Sequence, residues 1–445
     1  MAGALPYLRL VRFLLPLVVT MVVSELMPQF LAGGIARGGR PTETLAAYLL
    51  AWGMANFIAS PLSQVRQLGL VLVGDLRQAL QVLRFVGVCG GFLAAILALL
   101  ALTPAGRYVV EDLHDTSPDL ARVVRFALLL LIPYPLLEAL QRWMSGLLMR
   151  VRRTEVVSFG MLCGIGVSLL CVLVAVPIGL VRDTPIALPL LVTYSGLGTN
   201  IVVLWAGAVR YVHPRLKDRS LSYEACDLTF VYLGRFFWPL ALIMAIQGLS
   251  RPLINLFVSR GADGQEALAA LAVVYTLAHL PYGWLNELKS LPAVFYEYGA
   301  AGLRRIRRFT CGCGAFSFMM MVGAFWVSGV RDLLLLDLLA LPLGVAERCH
   351  TPLILFTFFP LAVALRSYLH GVALYERRTP SLAPSAPARI GAILIVLVFL
   401  PEAWMSGATR GVAALLGGFV IEAVVLWWFV HVRRPAVLPG EGGGA

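Results

Sequence analysis

The chain has 445 residues, of which 59% are hydrophobic and 13% charged, and its mean hydropathy is +0.84. An average soluble domain is about half apolar and about a quarter charged. No stretch of this chain is polar and long enough to form a separate soluble domain. The composition therefore excludes a soluble enzyme with one membrane anchor, as well as a disordered or fibrous chain.

Apolar runs long enough to cross a bilayer recur along the whole chain, since a helical span needs about 20 apolar residues. The first six predicted spans lie near residues 10–33, 44–72, 80–103, 124–149, 156–181 and 187–212. The second six lie near residues 228–258, 267–297, 309–330, 350–375, 382–402 and 410–432. The predicted fold is an all-α integral membrane protein with twelve transmembrane helices, several of them kinked at proline.

Basic residues are concentrated in alternate connections between these spans. The chain carries 36 Lys and Arg against 24 Asp and Glu, a net charge of +12. Loops rich in Lys and Arg mark the cytoplasmic side of a membrane protein, so both termini are predicted to be cytoplasmic. Topology accounts for the positive charge, and no nucleic-acid partner is expected.

The two halves of the chain repeat a pattern of Pro, Gly and Arg residues. Arg12-Phe13-Leu14-Leu15-Pro16-Leu17 matches Arg235-Phe236-Phe237-Trp238-Pro239-Leu240 at an offset of 223. At an offset of 225, Gly146 matches Gly371 and Arg152-Arg153-Thr154 matches Arg377-Arg378-Thr379. A unit of six spans repeats in parallel, which predicts two pseudo-symmetric six-helix bundles. The predicted parts are a bundle over 1–215, a cytoplasmic linker over 216–225 and a bundle over 226–445.

Ionisable side chains within the predicted spans are the candidate functional residues, because each costs about 2.5–3.5 kcal/mol to insert. The predicted substrate-binding residues are Arg251, Arg366, Gln247, Asn255, Lys289 and Arg66. The predicted coupling or ion-pair residues are Glu25, Glu138, Arg142 and Glu287. Cations outnumber acids in this set, and the planar guanidinium suits carboxylate and phosphate. The pattern therefore favours an anionic substrate.

Each candidate also has a structural interpretation. Glu138 and Arg142, spaced i, i+4, can form an ion pair that only stabilises their helix. Arg251 and Arg366 can pair with acids simply to hold helices together, and Arg66 and Lys289 can extend to the headgroups. Two further groups, His370 and Glu422, are interpreted as structural members of the bundle.

Several other classes of site are not predicted. The seven cysteines lie mostly in apolar runs and show neither a zinc spacing nor a disulfide pattern. No nucleotide-binding loop, metal-ligand cluster or catalytic triad is recognisable. We therefore expect no enzymatic activity, no metal and no cofactor. The sequence does not indicate an oligomeric state.

These stretches resemble the progressive ankylosis (ANK) family of multipass proteins, which is related to the MATE-like superfamily. The most specific segment runs from Trp238 to Ile243 and continues through Gln247, Ser250-Arg251-Pro252 and Asn255 to Arg260. Further matches are Pro281-Tyr282-Gly283-Trp284 with Glu287, and Phe358-Phe359-Pro360 leading to Arg366.

The resemblance implies export of anionic metabolites across the plasma membrane, namely ATP, pyrophosphate, and citrate or related carboxylates, by alternating access. Two other functions stay open. A proton-coupled extruder of organic cations would use an unpaired intramembrane carboxylate such as Glu25 or Glu138. A lipid-headgroup flippase would show a side opening to the bilayer. In each case the partners are a small solute and the lipid bilayer.

Overall fold

The computed structural model describes residues 5–25, 27–36, 40–113, 117–178, 185–218, 228–261, 263–339, 341–400 and 405–432. Within these ranges every regular element is a helix. The predicted linker over 216–225 lies mostly outside the described residues.

The helices of the first half alternate long apolar segments with short connecting turns. They are α1 (Tyr7–Ser24), α2 (Met27–Ala36), α3 (Pro41–Ala59), α4 (Val65–Val71), α5 (Leu76–Leu102), α6 (Pro104–Arg107), α7 (Pro118–Leu130), α8 (Tyr134–Arg150), α9 (Thr154–Ile178), α10 (Ala187–Gly207) and α11 (His213–Lys217). A 3₁₀ turn, Ser60–Gln64, joins α3 to α4.

The helices of the second half follow the same order. They are α12 (Phe230–Ser259), α13 (Gly264–Tyr282), α14 (Leu291–Val294), α15 (Gly299–Phe325), α16 (Ser328–Asp332), α17 (Leu343–Phe356), α18 (Phe359–Tyr375), α19 (Ser385–Phe399) and α20 (Gly407–His431). A 3₁₀ segment, Gly283–Ser290, joins α13 to α14.

The predicted membrane-spanning helices are confirmed by length and composition. Ten helical stretches of the described chain are long and apolar enough to cross a membrane. Two further pairs, α7 with α8 and α17 with α18, pass the same test together but are bent by 42° and 40°. Counting each bent pair as one span gives twelve, which matches the predicted number. Each bend precedes a proline near the start of the second helix, Pro135 or Pro360.

The internal repeat is visible in the helix bounds. Helices α3 and α13 have 19 residues each and are offset by 223. Helices α5 and α15 have 27 residues each, at the same offset. Helices α8 and α18, of 17 residues each, are offset by 225. Pro, Gly and Arg determine where a helix begins or ends, so repeating their pattern places equivalent helices at equivalent residues in the two halves. The predicted pseudo-symmetry is confirmed.

Repeat-equivalent residues also make equivalent contacts. A Cβ added to Gly146 would clash with the backbone carbonyl of Arg66, and one added to Gly371 would lie 2.8 Å from the carbonyl oxygen of Lys289. Arg152 and Arg377 both have positive φ, 60° and 54°. Each follows a helix end where the next amide bonds back five residues, as in a Schellman motif. The second helix of each bent pair, α8 or α18, therefore ends in the same way in both halves.

By their contacts the described residues form two compact units. The first unit is Leu15–Phe237, and the second unit is Met1–Leu14 with Trp238–Ala445. The boundaries fall inside α1 and α12, at positions that are equivalent in the repeat. Accordingly, Phe13 packs edge-on against Phe295 within the second unit, with ring centroids 5.8 Å apart. Within the first unit, Phe85 packs against Phe237 at 5.9 Å. Each of these two helices therefore contributes to both units.

Candidate functional site

The second unit holds a buried cluster of polar side chains centred on Glu422 of α20. Glu422 is completely buried. Its Oε2 accepts hydrogen bonds from Nη1 of Arg389 at 3.0 Å and Nη1 of Arg366 at 3.4 Å. Its Oε1 accepts from Nε2 of Gln247 at 3.1 Å. Four helices, α12, α18, α19 and α20, thus meet at one carboxylate.

A close approach of α19 and α20 places Arg389 in this cluster. Gly418 lies one turn before Glu422 on α20, and a Cβ there would come within 2.8 Å of Ile393 and 3.2 Å of the Arg389 Cγ. The missing side chain lets the aliphatic part of Arg389 lie along α20. Arg389 is 4% exposed and Arg366 is 7% exposed, so neither guanidinium is solvated as a surface arginine would be.

The ring of Phe419 contacts both guanidinium groups. Cζ of Arg389 lies 4.1 Å and Cζ of Arg366 4.9 Å from the ring centroid. Cation–π contacts of this kind are worth up to about 2 kcal/mol when desolvated. Phe359 of α18 packs edge-on against the same ring at 5.3 Å, which fixes its orientation. The aromatic face offsets part of the cost of burying two cations.

The 3₁₀ segment Gly283–Ser290 supplies a further polar group. Asn286 accepts a hydrogen bond from Nη2 of Arg366 through its Oδ1. Its Nδ2 donates to the carbonyl of Gly283 at 2.8 Å, which fixes the direction of the amide. Pro281 and Gly283 lie where α13 gives way to this tighter helix, and a 3₁₀ stretch inside a long helix often marks a functional hinge.

Arg251, Asn255 and Gln247 lie on one side of α12. Arg251 is exposed, and its Cζ is 4.8 Å from the Tyr275 ring centroid. It also hydrogen-bonds to the side chain of Tyr282. Asn255 is half-buried, and its buried Oδ1 accepts no hydrogen bond from the described residues. The predicted stripe therefore brings Gln247 to Glu422, whereas Arg251 extends to a pair of tyrosines.

His370 and Lys289 lie at the edge of the cluster. His370 is 8% exposed and experiences the charges of Arg366, Glu422 and Lys289. Its Nε2 is buried and makes no hydrogen bond to the described residues. A ligand oxygen could occupy that position. Arg366 and Lys289 therefore both lie close enough to His370 for their charges to act on it.

The charge balance of the cluster is positive. Two guanidinium groups share one carboxylate, and the remaining partners are neutral amides and an aromatic ring. Ion pairs buried without balancing partners are costly, because desolvation of each ion amounts to several kcal/mol. An arrangement with one surplus guanidinium is stabilised when a second anion is present.

The other predicted residues lie elsewhere in the fold. Glu287 belongs to the 3₁₀ segment of the second unit, whereas Arg66 and Glu25 belong to the first unit. Glu138 and Arg142 of α8 form the predicted i, i+4 pair, with Nε to Oε1 at 2.7 Å.

The cluster is absent from the repeat-equivalent positions of the first unit. The residues at an offset of 225 from Arg366 and Arg389 are Gln141 and Gly164. The surplus cation is therefore a feature of one half only.

Sequence reasoning did not single out Arg389, and it assigned a structural role to Glu422. Arg389 is the one charged residue of α19, and Glu422 has no partner at helical spacing within α20, where Arg410 lies twelve residues before it. A signal did exist, because this cation and this anion lie in consecutive spans. Among the described residues no group of three His, Cys, Asp or Glu side chains could hold a metal ion.

The fold is shared with solved membrane transporters. The eukaryotic MATE transporter AtDTX14 superposes with a TM-score of 0.71 at 14% identity, covering 95% of each chain. The Vibrio cholerae MATE transporter VcmN in its bent form gives 0.67 at 14% identity, also over 95% of each chain. A MOP superfamily transporter from Pyrococcus furiosus gives 0.63 at 13% identity, covering 96% of this chain and 95% of the other.

The sequence itself identifies the family. The profile of the family described as "Progressive ankylosis protein (ANKH)" matches residues 1–327, well over half of the chain. This match confirms the resemblance inferred from the motifs around Arg12, Trp238 and Pro281. Together with the fold, it shows that the chain is a multi-pass membrane protein of the MATE-like type that belongs to the progressive ankylosis protein (ANKH) family.

Proposed function

We propose that this protein exports small organic anions, namely ATP, pyrophosphate, and citrate or related carboxylates, and that the Glu422 cluster binds the anionic group. The observation that carries the proposal is the buried pair of guanidiniums, Arg366 and Arg389, which share the carboxylate of Glu422 within the described part of the chain. Arginine forms bidentate hydrogen bonds to carboxylate and phosphate. Gln247, Asn286 and His370 supply further polar atoms around the same point.

In this proposal Glu422 acts as an internal competitor for the substrate. Its carboxylate occupies the guanidinium groups when no anion is bound, so the empty site is not left with two unpaired cations. A substrate carboxylate or phosphate would share these donors or displace Glu422 from one of them. Glu422 would then regain its partners as the anion leaves, and this exchange limits how tightly the substrate is held.

The pairing of the acids favours anion export over proton-coupled extrusion of cations. A proton carrier needs a carboxylate that is accessible and not held by a permanent cation. Glu138 is paired with Arg142, and Glu422 with two arginines. The Pyrococcus furiosus transporter, for which a binding pocket of reverse polarity suggests a different function, supports the view that this fold does not prescribe the sign of the substrate.

The test is efflux from liposomes that contain the purified protein. Labelled ATP, pyrophosphate, citrate and an organic cation would be compared for the native protein and for Arg366→Ala and Arg389→Gln. We expect each variant to reduce anion efflux by about tenfold or more, since a charge-assisted hydrogen bond contributes about 1.5–3 kcal/mol.

Arg348→Gln is the matched control, because Arg348 pairs with Asp263 at 3.2 Å in the same unit but outside the cluster. We expect this variant to transport anions at the native rate. Native anion efflux by well-folded Arg366→Ala and Arg389→Gln proteins would refute the site. Efflux of the cation alone would refute the proposed substrate class.

A further inference from the structure

A row of arginines begins the lipid-facing side of α15 in the second unit. Four of the five residues from 304 to 308 are arginine. Arg304, Arg307 and Arg308 are exposed and form no ion pair or hydrogen bond within the described part of the chain. Their i, i+3, i+4 spacing places them on one face of the helix. Three unpaired guanidiniums therefore face the same direction.

The same face continues into the membrane as an apolar surface. After the arginines, the exposed residues of α15 are Cys311, Gly312, Ala315, Phe316, Met319, Met320 and Gly323. A Cβ added to Gly312 would meet nothing within 4 Å, so open space lies directly beyond the arginines. The cations thus lie where headgroups meet acyl chains, with a shallow surface of small residues beside them.

Helix α18 packs against the buried side of α15. Gly314 brings α15 against Ala364 of α18, with the added Cβ only 2.8 Å from the Ala364 Cβ. Tyr368, half-buried on α18, lies close enough to Arg307 to experience its charge. The nearby acid Glu376 is held by Arg378 at 3.4 Å. The positive charge of the patch is therefore not neutralised from this side.

The row is longer than its equivalent in the first half of the chain. Helix α5 is the repeat equivalent of α15, at an offset of 223 and at the same predicted membrane face. It has Gln81 and Phe85 where α15 has Arg304 and Arg308, and Phe85 packs against Phe230 and Phe237 instead of facing outward. The first half of the chain therefore lacks the row of arginines that the second half carries on α15.

The N-terminal segment packs against the same end of α15. Cζ of Arg305 lies 4.6 Å from the Tyr7 ring centroid, and Tyr7 stacks on Phe309 at 6.2 Å. Arg9 donates a hydrogen bond to the hydroxyl of Tyr298. These contacts hold the first turns of α15 beside the exposed arginines, so the row is presented on a packed helix.

We infer that Arg304, Arg307 and Arg308 with the exposed apolar face of α15 form a binding site for an anionic phospholipid of the predicted cytoplasmic leaflet, with phosphorylated headgroups preferred. Basic clusters at the cytoplasmic end of a membrane helix attract anionic lipids by about 1 kcal/mol per residue, which is roughly a fivefold effect. Guanidinium groups suit phosphate, and the small residues Cys311, Gly312 and Ala315 leave room for one acyl chain.

The experiment is native mass spectrometry of the purified full-length protein. It would be titrated with phosphatidylinositol bisphosphate, phosphatidylserine and phosphatidylcholine of identical chains, with inositol trisphosphate, and with an acidic peptide. We expect the phosphoinositide to bind at least tenfold more tightly than phosphatidylcholine. Arg304→Gln with Arg308→Gln should weaken it roughly 25-fold, whereas the matched pair Arg77→Gln with Arg84→Gln on α5 should retain it.

A third variant tests the exposed apolar face of α15 without changing a charge. Gly312→Leu fills open space, so it should fold normally and weaken the lipid several-fold while leaving binding of inositol trisphosphate unchanged. Unchanged lipid binding by the folded α15 double variant would overturn the site. Equal binding of phosphatidylcholine, or binding of the soluble headgroup or acidic peptide as tight as that of the lipid, would also overturn it. Because transport is not measured, these outcomes are independent of the proposed export function.

Discussion

Glu422 is the residue on which the buried cluster depends. It is completely buried and satisfies Arg366, Arg389 and Gln247 at once. Removing one partner of a buried ion pair costs about 3–5 kcal/mol, because the remaining charge is left uncompensated. In this cluster the remaining charge is double, so an added anion should compensate for much of the loss.

We predict that Glu422→Gln lowers the melting temperature in the absence of substrate and enlarges the stabilisation by ATP or citrate. The measurement is the thermal transition in detergent with and without anion. Glu138→Gln is the control, since it removes a carboxylate that pairs with a single arginine, Arg142, in the other unit. An anion-dependent shift in Glu422→Gln no larger than that of the native protein would contradict the competitor role.

At the residue scale, sequence reasoning identified half of the cluster. Gln247 and Arg366 were predicted because a polar residue inside a span is costly wherever the span packs. Arg389 and Glu422 could not be assigned in the same way, since their role follows from the contact of α19 and α20 at Gly418. That contact is long-range and leaves no periodic pattern in either helix.

The contact of α8 with α4, and its repeat equivalent, shows how the bent helix pairs are built. Gly146 lies directly against the backbone of Arg66, and Gly371 against that of Lys289. Small residues allow such close backbone approach between membrane helices. The repeat made these glycines recognisable, because Pro, Gly and Arg kept their spacing while the apolar residues between them changed. Helix ends and glycine contacts are therefore predictable here, whereas the bend angles are not.

We predict that Gly146→Ala destabilises the protein by about 1–3 kcal/mol, the usual cost of overpacking. Neither the backbone of Arg66 nor that of α8 can move aside as a flexible side chain would. Gly91→Ala on α5 is the control, since nothing lies within 4 Å of its added Cβ. It should be neutral or slightly stabilising. Equal melting temperatures for the two variants would show that the close contact is not required.

At the scale of the whole molecule, the two units do not coincide with the two halves of the sequence. Residues up to Leu14 belong to the second unit, and residues of α12 up to Phe237 belong to the first. Phe13, 4% exposed, covers Phe295. The start of α1 is therefore part of the core of a unit whose other residues begin at Trp238.

We predict that Phe13→Ala destabilises the second unit selectively, because truncating a buried Phe costs about 3–5 kcal/mol. Hydrogen exchange should accelerate in α14 and at the start of α15. Leu15→Ala is the control, since Leu15 is 56% exposed and its loss leaves no cavity. Faster exchange confined to α3 and α5 of the first unit would contradict this assignment.

The start of α1 belongs to the second unit and the start of α12 to the first, and this arrangement imposes an order on folding during synthesis. The first unit can be completed once Phe237 has been synthesised, but the second must recruit a segment made at the very beginning. Arg9 and its partner Tyr298 are 289 residues apart. At a synthesis rate of about 5–20 residues per second, roughly 15–60 s pass between the synthesis of Arg9 and that of its partner Tyr298. During that interval the aromatic side chains at the start of α1 must be buried in lipid or in the insertion machinery.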